Sequence, residues 1–176
     1  MRLYTEADFK LMPWKNGGGT TLELFSLRDS QEEILFRLSS ASVKQDGPFS
    51  IFPNIERILF LVSGNGFKLK FADFDLLMAN PFSPITFAGE EVISCELLGK
   101  ECIDFNVMTN RNFGSSKLEI KKVKRGDRFF NSSDMLFIYF TEDKELYQLD
   151  LNQEYTHESS EQLAYIIELR MNNFHA

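Results

Sequence analysis

Nowhere does this chain sustain an apolar repeat at helical spacing; instead, short β-prone runs are cut by turn signals at close intervals. In Phe67-Lys68-Leu69-Lys70-Phe71, apolar and basic residues alternate strictly. That is the two-residue period of a strand with one face in a core and one in water. Residues 57–62 (RILFLV) form a more continuous apolar run, and Ser63-Gly64-Asn65-Gly66 joins the two. Asn-Gly supplies the positive φ angles of a tight turn, so a β-hairpin is expected here. Further strands are expected at residues 22–27, 34–43, 85–87, 92–98, 103–108, 118–123, 135–140, 145–151 and 163–169. Residues 159–170 have some helical character, but Tyr165-Ile166-Ile167 is β-prone, so a strand is expected. The abundance of Phe, 18 of 176 residues, leans the same way.

Many short strands separated by turns read as an all-β sandwich or barrel. Residues 58–71 and 135–151 each read strand, turn, strand, which hints at two copies of one β unit. Two ordinary hairpins would give the same pattern.

Charge and cysteine content exclude several classes of function. The net charge is −7, whereas nucleic-acid binders need a basic face to neutralise phosphates. The one basic cluster, Lys117, Lys121, Lys122, Lys124 and Arg125, reads as the solvated face of an edge strand. No nucleic-acid or membrane partner is expected. Cys95 and Cys102 lie in apolar surroundings and read as free, buried thiols. The N-terminus lacks the apolar core of a secretion signal, so a cytoplasmic location is expected.

Three segments look chemical. Trp14-Lys15-Asn16-Gly17-Gly18-Gly19-Thr20-Thr21 sets a flat apolar ring beside a cation and an amide, next to a backbone free to approach a ligand. It is neither a phosphate-binding P-loop nor a dinucleotide fingerprint, and a structural loop with a core-anchoring Trp accounts for it equally well. In Asp46-Gly47-Pro48-Phe49-Ser50-Ile51-Phe52, the Asp can cap its own turn, whereas Phe49 and Phe52 must pack against something. Arg57 follows at the start of an apolar strand and needs an anion, either Asp46, Glu56 or a bound carboxylate. In residues 104–109, alternation puts Asp104, Asn106 and Met108 on one face and Phe105 and Val107 on the other.

Only two histidines exist, His157 and His175, with no His-x-His pair. A histidine-held metal site is therefore not expected, nor is Ser-His-Asp catalysis. His157 lies in a polar run and reads as a surface residue.

The segments PWKNGGGTT, ASVKQDGPFSIFPNIERIL, SGNG and DFNVMTNR occur in the order shared by the HutD/Ves family, which the chain resembles over most of residues 13–111. The C-terminal third matches only in general character. The resemblance implies a bicupin-like fold, two β-barrel or jelly-roll lobes in one chain, here near residues 1–112 and 113–176. It also implies that the usual cupin metal ligands are lost, so no cofactor is expected. HutD members accompany histidine-degradation genes and are thought to bind a pathway intermediate; Ves-like members are associated with cold or stress responses.

The expected function is thus non-enzymatic binding of a small carboxylate such as urocanate or formylglutamate. Lys15 and Arg57 would meet the anion. Asn16 and Thr20 would add hydrogen bonds, and Trp14, Phe49 and Phe52 apolar walls. Asp46, Asp104 and Asn106 would orient the others or hold a ligand amine. Two alternatives stand beside this. One is a metal-free isomerase or hydrolase with Asp46 or Asp104 as general base; the other is an interaction protein with exposed Phe residues. A homodimer is compatible with each.

Overall fold

A computed structural model describes residues 1–172, and among these every regular element is a strand. The chain divides into two compact units. One runs from Lys10 to Asn112; the other joins Met1–Phe9 to the chain from Phe113 onward. The expected boundary near residue 112 therefore holds only on one side. The first residues cross to the second unit because β1 (Arg2–Tyr4) pairs with β15 (Glu145–Asp150), with the Tyr4 hydroxyl donating to Gln148 Oε1 at 2.8 Å.

The Lys10–Asn112 unit is a sandwich of two antiparallel sheets. The six-stranded sheet runs β2 (Lys10–Pro13), β3 (Gly19–Arg28), β4 (Ile34–Val43), β11 (Cys102–Asn110), β6 (Ile55–Gly64), β9 (Ile85–Ala88). The four-stranded sheet runs β5 (Gly47–Pro48), β10 (Ser94–Leu97), β7 (Phe67–Lys70), β8 (Asp75–Met78). Both sheets contribute to one apolar core. Val43, Leu59, Leu61 and Cys102 come from the first, and Phe67, Leu69, Met78 and Cys95 from the second. The alternation read in residues 67–70 holds, with Phe67 and Leu69 buried and Lys70 exposed. Burial pushes both thiols up to about 12, so neither is reactive.

The hairpin expected at residues 63–66 does not form. β6 pairs with β11 and β9, whereas β7 pairs with β10 and β8. Gly64 and Gly66 do have positive φ, at 100° and 92°, but they bend the chain from one sheet to the other. The partner ribbon bends with them, since Gly64 lies opposite Cys102 and Phe67 opposite Leu97. A Cβ on Gly66 would sit 2.2 Å from the Met78 carbonyl oxygen, so this crossing admits no side chain. A corner and a hairpin need the same turn chemistry, which is why the sequence does not separate them.

The other unit carries a five-stranded antiparallel sheet in the order β1, β15, β14 (Met135–Phe140), β17 (Gln162–Met171), β12 (Gly114–Val123). A two-stranded ribbon, β13 (Arg128–Phe130) with β16 (Glu154–Thr156), adds Phe129 and Tyr155 to its core. The β14–β15 hairpin and the strand at residues 162–171 match the sequence reading. So does the basic cluster: β12 is an edge strand, and Lys122 and Lys124 lie 4.0 and 3.7 Å from Glu161.

His157 corrects an expectation. It is 1% exposed, its ring stacks on Phe140 at 4.5 Å, and its Nε2 lies 2.9 Å from the Ser160 carbonyl oxygen. A polar run signals surface only if the chain stays outside. Here the backbone beyond β16 folds in, its His157 N–H donating to Asp127 O at 2.9 Å. His175 lies outside the described residues.

Candidate functional site

The β sandwich of residues 10–112 holds a cavity of about 510 Å³. Its floor is one face of the six-stranded sheet. Two-residue alternation brings Arg37, Ser39 and Ala41 of β4, Asp104, Asn106 and Met108 of β11, and Arg57 of β6 to that face. Phe105 points the other way and stacks on Phe60 at 5.4 Å. A register shift helps to set the phase: Ile103 lies opposite Ser63 but Asp104 opposite Leu61, leaving Val62 as the extra residue. Bulges of this kind re-aim side chains beside functional sites.

Two loops make the walls. Trp14, Lys15 and Asn16 come from the loop between β2 and β3, and Phe49, Ser50 and Phe52 from the segment after β5. The glycine run has a local cause. Gly17 has φ +73°, and a Cβ on Gly19 would lie 2.3 Å from the Ser42 carbonyl oxygen and 3.1 Å from the Trp14 ring. Trp14 rests on that bare backbone and donates from Nε1 to Thr21 Oγ1 at 2.8 Å. Asn16 Oδ1 accepts from the Gly18 amide at 3.0 Å, which leaves its Nδ2 for other partners.

Arg57 is the centre of the site. It is 6% exposed, and the rings of Phe87, Phe49 and Phe52 stand 5.0, 5.2 and 5.7 Å from its guanidinium carbon. Each such contact contributes roughly 0.5–2 kcal/mol when desolvated. Its Nη2 and Nε donate to Asn106 Oδ1 at 2.7 and 3.3 Å, and Asn106 Nδ2 donates to Asp104 Oδ1 at 2.7 Å. The chain Arg57–Asn106–Asp104 therefore spaces cation from carboxylate instead of pairing them directly. Burial lowers the Arg57 pKa to about 10, partly offset by Asp104.

Burial also pushes the Asp104 carboxyl up to about 7, against the charge of Arg57 and the hydrogen bonds from Asn106 and the Ala41 backbone. An unfolded carboxyl titrates near about 3.9. Between about pH 4 and 7 the unfolded chain has released this proton while the fold still holds it, so stability falls as pH rises through that window. Asp104→Asn is therefore expected to exceed wild type at pH 8 by on the order of 2–4 kcal/mol and to match it near pH 4. Denaturant titrations at the two pH values check this; an Asn variant no more stable at pH 8 contradicts it.

A second arginine shares the cavity. Arg37 Nε lies 2.8 Å from Glu23 Oε2, close but poorly aligned for a hydrogen bond, so charge rather than direction holds that pair. Burial lowers its pKa, while Glu23 raises it. The sequence analysis did not single out Arg37 and Ser39, which lie on the face of β4 opposite the buried Phe36 and Leu38. The available signal was an arginine in mid-strand among apolar residues.

Of the expected site residues, Trp14, Lys15, Asn16, Phe49, Phe52, Arg57, Asp104 and Asn106 line the cavity together. Two do not. Thr20 is out of phase with it, and Thr21 lines it instead. Asp46 is exposed and accepts from the Leu97 amide at 2.8 Å, which ties its loop to β10. Among the described residues, Asp104 is thus the only lining carboxyl, and no histidine or cysteine lines the cavity. Its donor set does not fit a histidine-held metal.

These features define a cupin-like all-β protein whose cavity presents arginines. The chain belongs to the HutD family, whose model matches residues 6–171. It is 38% identical over 111 residues to an uncharacterised 21.2 kDa protein in the hutC 3′ region of Pseudomonas putida, a match covering 61% of this chain and 57% of that one. HutD from Pseudomonas fluorescens SBW25 superposes with a TM-score of 0.79 at 24% identity, covering 98% of this chain and 99% of that one. A conserved protein of unknown function from Pseudomonas aeruginosa PAO1 gives 0.84 at 21% identity, covering 96% and 98%. An oxalate decarboxylase from Lactobacillus farciminis shares the fold alone, with a TM-score of 0.68 at 8% identity over 97% and 86% of the two chains. No helix among the described residues is long and apolar enough to cross a membrane.

Proposed function

We propose that this protein binds a small carboxylated metabolite in the Lys10–Asn112 unit and serves as a modulator of histidine utilisation. The observation that carries the reading is charge. Lys15, Arg37 and Arg57 line one cavity whose only lining carboxyl among the described residues is Asp104. Desolvated guanidinium groups are retained where an anion completes them. Arg57 is held rigid by three rings and Asn106, which uses two of its five donors and leaves the rest for a carboxylate. Trp14, Phe49 and Phe52 would cover the ligand's apolar part. The relative's position beside hutC supports a role with histidine-degradation genes.

Two arginines favour a ligand with two anionic groups. Formylglutamate carries two carboxylates and urocanate one. Calorimetric titration of wild type and Arg37→Met with both acids tests this. Formylglutamate is expected to lose roughly tenfold or more in affinity in the variant, on the order of 1.5–3 kcal/mol for a charge-assisted hydrogen bond, and urocanate much less. Equal losses for the two acids would remove Arg37 from ligand recognition.

A further inference from the structure

Asp104 stands 2% exposed in a cavity read as an anion site, where its ionised form would oppose the ligand. Arg57 on β6 reaches Asp104 through Asn106, and the Ala41 backbone on β4 donates to it. Arg37 on β4 and Lys15 at the loop wall share the cavity. Cys102 on its own strand and Cys95 on β10 lie within electrostatic reach and stay neutral, with Asp46 beyond Cys95. Arg57 is thus the cation that favours the ionised carboxyl.

An arriving carboxylate cancels that help. It occupies the free donors of Arg57 and adds its own negative charge where the dielectric is low. An ionised Asp104 would then be a buried charge without compensation. Resting on the anion-binding reading above, we propose that the cavity takes up its carboxylate ligand together with one proton, which settles on the Asp104 carboxyl. The neutral carboxyl keeps an acceptor for Asn106 and gains an O–H donor.

The sign follows from linkage. Asp104 in the free protein titrates at about 7, and a bound carboxylate moves that titration to higher pH. Between these two values each ligand brings one proton, and affinity falls about tenfold per pH unit. Below both values affinity is flat.

Calorimetry with formylglutamate in buffers of different ionisation enthalpy, such as HEPES and Tris, measures the protons taken up. This probe has no group titrating near pH 8, whereas urocanate has an imidazole. Wild type is expected to take up about one proton per ligand near pH 8. Asp104→Asn is expected to take up none and to bind with an affinity flat in pH. Binding by wild type without proton uptake, or uptake that persists in Asp104→Asn, overturns the proposal and leaves the anion site standing. No binding heat anywhere from about pH 6 to 9 removes the anion site and the proposal with it. The wild-type arm does not depend on how the variant folds.

Discussion

Arg57→Ala is expected to abolish carboxylate binding while leaving the fold intact. Its free donors would form the ligand's strongest bonds, and losing a charge-assisted fork costs about 3 kcal/mol, roughly two orders of magnitude in Kd. The fold survives because the surrounding core, Leu59, Leu61 and Phe67 among others, makes its own contacts. Arg57→Met keeps more of the volume under the three rings and sharpens the comparison. Calorimetry with formylglutamate and circular dichroism check the two halves of the statement. A variant that binds normally would make Arg57 a structural residue, buried for the sake of Asn106 and Asp104.

Gly19→Ala is expected to damage stability and site together. The added Cβ would lie 2.3 Å from the Ser42 carbonyl oxygen and 3.1 Å from two Trp14 ring carbons. Neither can yield cheaply. Ser42 is fixed in the β3–β4 ladder, and Trp14 is tied to Thr21 by its indole N–H. Overpacking of this kind costs typically about 1–3 kcal/mol, and here the backbone clash puts the expected loss near the upper end. Affinity should fall too, because Trp14 must leave the cavity wall. Denaturant unfolding alongside ligand titration checks both. A variant with native stability and native binding would mean that the loop shifts freely, contrary to a wall built on close contact.

The sequence carried most of the strands and most of the cavity wall, for reasons that differ by residue. Lys68 and Lys70 alternate with Phe67 and Leu69, so that strand's faces were legible. Trp14 beside three glycines, and Phe49 and Phe52 in a loop, were legible as cavity walls because large rings in turn-rich segments must pack against something. The phase of β3 was not: Thr20 and Thr21 are adjacent hydroxyls, and only the pairing with β4 decides which one faces the cavity. Arg37 was hidden because β4 is polar on both faces. Asp46 misled because a turn aspartate reads alike whether it holds a loop, as its bond to Leu97 does, or meets a ligand. The corner at residues 63–66 and the burial of His157 are tertiary facts, set by which ribbon a turn must follow and where a loop lies down.

On the function proposed above, the arginine-lined cavity takes a carboxylate. The most direct test is a thermal-shift screen of the intact protein against histidine, urocanate, formylglutamate, glutamate, formate and a panel of divalent metals. A ligand that binds only the folded state raises its stability by RT ln(1 + [L]/Kd), about 2.7 kcal/mol at a hundredfold excess over Kd. A clear upward shift is expected with a carboxylic acid of the histidine pathway, largest for the dicarboxylate, and none with the metals. A strong shift with a divalent metal, or none with any acid, would contradict that function.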